Sequence, residues 1–429
     1  RGLVVPPRFD VEDVDVSEAL VQKYAEKQID RVTISRMLHA GEDPTPERLI
    51  VIAQHVQKEL ATRLARRLLD IQTLPYIVVI NPNFQQVYKL YRKAFKTLIN
   101  SPKVVNISQD AEFVEVVKGL VHEAVQVVPW LAKGCHDASK KVPASQLNLN
   151  RFMADMIMSR ISRRVIAEQY ISLHEERPGY IGVICKEMSP YDVVQRVAPE
   201  AQATCQRSYG IFPGYEIEGD KSITCSYLPT HLEYIMFELL KNSMRAVVEQ
   251  HSSKNELGKK LPPIKILLAR GPSDISIRIS DQGGGVPRKH LDRIFDFGFS
   301  TFEHESLSAG DGHEPPSPLS GIDANVVRTS PMAGLGFGLP TCRLYAQYFG
   351  GDVWLNSMEG YGSDVLVRLD HMGETKEFSN YDGFDIWKSL RCPDVTLLDA
   401  LQANPRVQTH AYKDRERNLR DMRDHRRVV

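Results

Sequence analysis

The sequence predicts an all-α bundle of four long helices followed by an α+β sandwich, one sheet carrying helices on one face. Three observations carry that reading. Apolar residues recur every three or four positions through most of residues 17–174, with no strand-like run among them. Pro178-Gly179 then breaks the pattern. Beyond the break, Ile275, Ile277 and Ile279 alternate with polar partners, the period of a half-buried strand. A chain of 429 residues is also too long for one core, since domains average roughly 150 residues.

Residues 1–16 are rich in Pro and Asp and read as an extended segment. A short amphipathic helix is expected over 17–30. Asp43-Pro44-Thr45-Pro46 opens a long one, with Leu49, Ile52, Ala53, Val56, Leu60, Leu64 and Leu68 on one stripe, and Pro75 stops it. Further helices are expected over about 83–99, 109–136 and 147–174, which completes a four-helix bundle within 17–178. Residues 179–372 form the second unit. It opens with a helix over 190–208 and turns to strand character after Ile211. Strands over 264–269 and 275–279 flank the turn Gly271-Pro272-Ser273. A helix over 340–349 leads to strands at 353–355 and 365–369. Residues 302–333 are rich in Gly, Pro and Ser without periodicity, the composition of a lid or a disordered segment. Residues 373–429 make a tail, dense in Arg and Asp from 413 onward.

Composition excludes some function classes. Lys plus Arg and Asp plus Glu both number 54, and the pI is about 7.3. An even balance argues against nucleic acid or an anionic membrane as main partner, because both favour a basic surplus. The longest apolar run, 74–80, is interrupted by Pro75 and is far short of a membrane span. Six scattered cysteines with no CxxC pair read as plain thiols in a reducing compartment. The chain starts at Arg1 rather than Met, so a targeting peptide lies outside what can be read.

Four short signals occur in a fixed order. The first is Glu238-Leu239-Leu240-Lys241-Asn242, on a helix whose apolar positions include Ile235, Leu239 and Met244. Glu238 and Asn242 are four apart, so they share one face. An amide oxygen can ligate hard Mg²⁺ while the carboxylate handles a proton nearby; an ordinary solvated face is the bland alternative. The second is Asp281-Gln282-Gly283-Gly284-Gly285, at the end of the 275–279 strand. A strand-end Asp can accept a hydrogen bond from an exocyclic amine such as that of adenine, while Gly283 and Gly285 keep the backbone slim. Alone, such a motif is a common hairpin turn. The third is Gly334-Leu335-Gly336-Phe337-Gly338-Leu339, before the 340–349 helix. Alternating glycines at a helix start offer backbone N–H groups to phosphate oxygens. A dinucleotide fingerprint would need a strand just before it, and here the 302–333 segment precedes it. The fourth is Gly360-Tyr361-Gly362-Ser363-Asp364, where Ser363 can reach a nucleotide or simply close a hairpin.

Taken together, the four signals resemble the ATP-binding fold of the gyrase, heat-shock chaperone, histidine kinase and MutL type. The match is closer still in Glu238-Leu239-Leu240-Lys241-Asn242-Ser243-Met244-Arg245-Ala246 and Gly336-Phe337-Gly338-Leu339-Pro340-Thr341-Cys342-Arg343-Leu344-Tyr345-Ala346. With Leu74-Pro75-Tyr76 and Asn81-Pro82, these runs resemble the mitochondrial α-ketoacid dehydrogenase kinases over roughly residues 30–372. The family comprises the pyruvate and the branched-chain kinases. The resemblance implies a four-helix bundle on an ATP domain, a homodimer, a place in the mitochondrial matrix, and Mg-ATP as cosubstrate, with K⁺ near the nucleotide left open. It also implies phosphorylation of serines on the decarboxylase subunit, docking on lipoyl domains of the transacylase core, and a ketoacid regulator in the bundle. By the resemblance, Glu238 is the general base, Asn242 the Mg²⁺ ligand, Asp281 the adenine partner, and Gly334, Gly336, Phe337, Gly338 and Leu339 the phosphate turn. Arg245 is an electrostatic helper or a structural ion pair.

Two features bear on the substrate. Pyruvate dehydrogenase kinases carry a His one turn before the catalytic Glu, hydrogen-bonded to it; Tyr234 stands there, as in the branched-chain kinases. His174-Glu175-Glu176-Arg177-Pro178 and Ile181-Gly182-Val183-Ile184-Cys185 point the same way. Asp385-Ile386-Trp387 is similar to the Asp-Trp tail pair of the pyruvate kinases with one residue interposed. The branched-chain complex is slightly favoured, the pyruvate complex close behind. Competing readings are a histidine kinase with His174 as phosphoacceptor, an ATP-driven clamp or chaperone, and an ATP-binding scaffold without catalysis.

Overall fold

The structure is a computed structural model that describes residues 17–141, 149–253, 261–299 and 336–377. The expected extended segment 1–16, the 302–333 segment, Gly334, Asp385-Ile386-Trp387 and the Arg-rich terminus all lie outside the described residues.

The first half is helical. It runs through α1 (Glu18–Ala25), α2 (Ile34–Gly41), α3 (Pro46–Gln72), α4 (Tyr76–Val79), α5 (Pro82–Asn100), α6 (Ile107–Glu123), α7 (Val127–Lys141) and α8 (Leu149–Ser172). Polar N-caps start most of these helices. Ser17, Thr33, Thr45, Asn81 and Asn106 each accept a hydrogen bond from a first-turn N–H. Pro46 and Pro82 occupy first-turn positions, where no N–H is needed. The apolar stripe of α3 is buried from Ala53 onward, with α1, α5, α6 and α8 packed around it.

Three expectations need correction here. The 17–30 helix stops at Ala25. The 109–136 helix is two helices separated by a 3₁₀ turn, Ala124–Gln126. Pro129, which cannot donate the hydrogen bond a continuous helix requires, sits just past that turn. The short helices α2 and α4 were not expected at all.

The second half begins with a hairpin, β1 (Tyr180–Ile181) and β2 (Ile184–Met188), closed by Gly182 at φ 58° and Val183. Glycine at the first central position is what such a tight turn demands. Next come α9 (Pro190–Tyr209), β3 (Tyr215–Gly219), β4 (Cys225–Tyr227) and α10 (Pro229–Ser253). β5 (Ile264–Arg270), β6 (Asp274–Asp281), α11 (Gly338–Tyr348), β7 (Asp352–Met358) and β8 (Gly362–Asp370) complete it. A three-stranded sheet has the order β1-β2-β4, and a five-stranded sheet the order β3-β5-β6-β8-β7. In the larger sheet only β3 and β5 are parallel, joined through α10.

Period-two burial runs across the larger sheet. Ile264, Ile266, Ile275, Ile277, Ile279, Val365, Val367 and Val353 are all buried, while Lys265 and Arg278 on the opposite face are exposed. Helices α10 and α11 pack on this sheet, α9 packs on α10, and α11 also touches α8 of the helical half. This mixed α/β arrangement fits the ATP-binding fold expected from the sequence. No helix among the described residues is long and apolar enough to cross a membrane.

Candidate active site

Helix α10 carries the first of the four signals between the sheet and its neighbouring helices. Glu238 is buried at 3% exposure, and Lys241 Nζ donates to its Oε1 at 2.7 Å. Asn242, one turn beyond Glu238, is exposed. One face of α10 therefore presents a dry carboxylate and a wet amide.

Asp281 is the last residue of β6. Its Oδ1 accepts the N–H of Gly283 at 2.9 Å and that of Ser363 at 3.3 Å. Burial pushes this carboxyl above its ordinary range, while hydrogen bonds from Gly283, from the Ser243 hydroxyl and from Ser363 oppose the shift. A Cβ placed on Gly283 would overlap the Ala246 methyl, so the glycine is what lets this turn lie on α10. Ser243 and Ala246 thus bring the Asp281 turn onto the helix of Glu238 and Asn242.

Gly284 and Gly285 adopt positive φ, 81° and 72°. The Gly284 N–H donates to the Tyr361 carbonyl at 3.1 Å, and its own carbonyl accepts from Gly360 N–H at 2.8 Å. The β7–β8 hairpin turn therefore braces the Asp281 loop. The Ser363 hydroxyl lies 3.0 Å from that of Ser357, so its backbone N–H, not its side chain, faces Asp281.

The third signal meets the first directly. Gly338 opens α11, and a Cβ there would overlap Glu238 Oε2. Gly336 has φ 76°, and its carbonyl accepts from Gly298 N–H at 3.1 Å. No side chain caps the start of α11. Its first-turn N–H groups therefore suit an anion, with the helix dipole in support. The Phe337 ring is buried against Phe297, with ring centroids 5.4 Å apart, which leaves only its backbone for a ligand. Leu339 is partly buried in the first turn.

Two sequence-based candidates sit in other environments. Arg245 Nε bonds Glu249 at 2.8 Å, and Glu249 also accepts the Tyr209 hydroxyl at 2.7 Å. His174 has both ring nitrogens engaged, Nδ1 with the Tyr170 carbonyl at 2.9 Å and Nε2 with Asp110 at 2.8 Å. A histidine held that way offers no free nitrogen to a phosphoryl group. Lys241 is the residue that sequence reasoning passed over, although its three-residue spacing from Glu238 was a readable pairing signal.

No cluster of three or more His, Cys, Asp and Glu residues among those described could hold a metal ion. A magnesium ion fits nonetheless, since it takes few protein ligands and completes its shell with waters and phosphate oxygens. Asn242, exposed one turn beyond Glu238, would be its oxygen donor.

The chain is similar to known proteins along most of its length. Residues 31–185 match the family described as mitochondrial branched-chain alpha-ketoacid dehydrogenase kinase. Residues 227–372 match the histidine kinase-, DNA gyrase B-, and HSP90-like ATPases. Among similar proteins, the mitochondrial [pyruvate dehydrogenase (acetyl-transferring)] kinase of Arabidopsis thaliana is 36% identical over 349 residues, covering 81% of this chain and 92% of its own. The corresponding kinase of Schizosaccharomyces pombe is 30% identical, with 81% and 94% covered. Isozyme 3 of Homo sapiens is 32% identical, with 81% and 84% covered.

Proposed function

The chain belongs to the mitochondrial α-ketoacid dehydrogenase kinase family, and from that premise we propose that it phosphorylates serines on the decarboxylase subunit of the pyruvate dehydrogenase complex, inactivating it. It is an ATP-binding mitochondrial kinase by the same kinship. The similar proteins named above are pyruvate dehydrogenase kinases, so the preference for the branched-chain complex drawn from Tyr234 gains no support from them.

One observation carries the assignment of roles: the Glu238 carboxylate lies against Gly338 at the uncapped start of α11, while Asp281 is held on the same helix through Ser243 and Gly283. In the proposed reaction Glu238 takes the proton of the substrate serine as its oxygen attacks the γ-phosphorus and the bond to ADP breaks. The backbone N–H groups of Gly336, Gly338 and Leu339, together with Gly334, cradle phosphate oxygens. Asp281 accepts from the adenine amine. Asn242 would hold Mg²⁺, which when bound supplies charge neutralisation across the phosphates. A site for K⁺ beside the nucleotide belongs to the same proposal.

We assign residues 17–178 as the regulatory four-helix bundle that docks lipoyl domains, 179–372 as the kinase domain and 302–333 as its lid, in a homodimer of the mitochondrial matrix. An apolar cavity among α3, α5, α6 and α8, lined by Leu64, Tyr91, Val121 and Arg160, suits the ketoacid regulator that the resemblance implies. Arg160 is buried, and its Nε has no hydrogen-bond partner among the described residues, a cation available to a carboxylate.

The test is incubation with labelled ATP and each purified decarboxylase side by side. Label should enter serines of the pyruvate enzyme faster than those of the branched-chain enzyme. The reverse preference would overturn the substrate assignment, and steady ATP hydrolysis without a phosphoprotein would point to a clamp ATPase.

A further inference from the structure

We infer that Lys241 is the positioning residue for Glu238; this rests on Glu238 being the base. Among the described residues, no side chain of the helical turn before Glu238 hydrogen-bonds its carboxylate. Tyr234 is buried at 4% exposure, its ring lies 4.9 Å from that of Tyr345, and its hydroxyl is directed to Thr341 and not to Glu238. The carboxylate is held from the other side. Lys241 Nζ reaches Oε1 at 2.7 Å, and the two side chains are 2% and 4% exposed.

The two oxygens of Glu238 are thereby given different tasks. Oε1 is committed to the ammonium, and Oε2 is the oxygen that faces Gly338 and the phosphate-binding end of α11. Fixing one oxygen sets the side-chain rotamer, so the other lies where a substrate hydroxyl can approach along the phosphate axis. Lysine suits this better than a neutral donor because a carboxylate this dry needs a counter-charge to be tolerated. The ammonium is also sequestered, with the Phe237 ring centroid 5.5 Å from Nζ. Lys241 therefore acts through Glu238 and not by touching phosphate.

The experiment compares Lys241→Met, Glu238→Gln and the double variant for kcat and for Mg-ATP binding in the full chain. Lys241→Met should lower kcat about a hundredfold and leave the Mg-ATP Kd within about threefold of the parent. The double variant should be no slower than Glu238→Gln alone, because Lys241 has nothing to position once the carboxylate is gone. Normal turnover in Lys241→Met, a matching rise in the Mg-ATP Kd, or a further loss in the double variant would overturn the inference. Should Lys241→Met fail to fold, the double variant restores a neutral pair, and its comparison with Glu238→Gln decides alone. Normal turnover in Glu238→Gln would instead remove the base assignment itself and the inference with it, a failure distinct from the others because that single variant reveals it.

Discussion

Glu238 and Asn242 share a helix face but not an environment, since the carboxylate is buried and the amide is exposed. Their replacements should therefore fail differently. Asn242→Ala should weaken Mg-ATP binding about tenfold or more and raise the magnesium needed for half-maximal activity, as expected when an oxygen ligand is removed. Titration of activity against magnesium checks this, and an unchanged requirement would remove Asn242 from the metal. The four-residue spacing was legible in the sequence; the burial difference was not, because it arises from α11 packing over one end of the face. His231, two turns before Glu238, is another residue whose state only packing reveals. Burial among Tyr227, Tyr345, Tyr348 and Phe349 pushes its pKa from 6.5 down to about 3. Between those values the unfolded chain binds a proton that the folded one refuses, so stability falls as pH drops below 6.5, by about 1.4 kcal/mol per unit. His231→Phe should flatten the fall in Tm between pH 6.5 and 5; an unchanged slope would contradict this.

At the scale of elements, amphipathic stripes and period-two alternation located α3, α5, α9, β5 and β6 to within a few residues. Those signals are local. The break between α6 and α7 depended on where a proline could be tolerated, and the β1–β2 hairpin on one positive-φ glycine in a short apolar run. The glycine turns were recognisable as motifs, yet their purpose lies in contacts between elements that the sequence does not print. Gly338 is the sharpest case. Alanine is the better helix former by about 1 kcal/mol, but here its methyl would press on the Glu238 carboxylate. Gly338→Ala should therefore lower kcat by about tenfold or more, since small displacements of reacting groups are costly, while far-UV dichroism stays like the parent. Undiminished turnover would mean that α11 does not press on Glu238.

Across the molecule, the segment after β8 ties the two halves together. Glu377, 1% exposed, bonds Arg63 of α3 and the Tyr348 hydroxyl of α11, and exchanges backbone and side-chain hydrogen bonds with Val32. Arg63 in turn reaches Ser162 of α8 and Glu59. A sequence separation of 314 residues hides such a pair from any periodicity argument. Removing one partner leaves the other buried without its full compensation, a loss of about 3 kcal/mol or more. Glu377→Ala should accordingly lower Tm by about 5 °C or more, which a thermal melt reads directly; an unmoved Tm would show the two halves to be held by other contacts. Helix α11, which that tie holds through Tyr348, packs against both α8 and α10 and sets Gly338 against Glu238.

The joining of nucleotide and base in one pocket is best tested by single-turnover transfer from saturating labelled Mg-ATP to the pyruvate decarboxylase, parent against Glu238→Gln, with nucleotide binding measured in parallel. Binding should stay within a few-fold while transfer falls by about two to four orders of magnitude. Transfer at the parental rate, or loss of binding in step with transfer, would contradict the account.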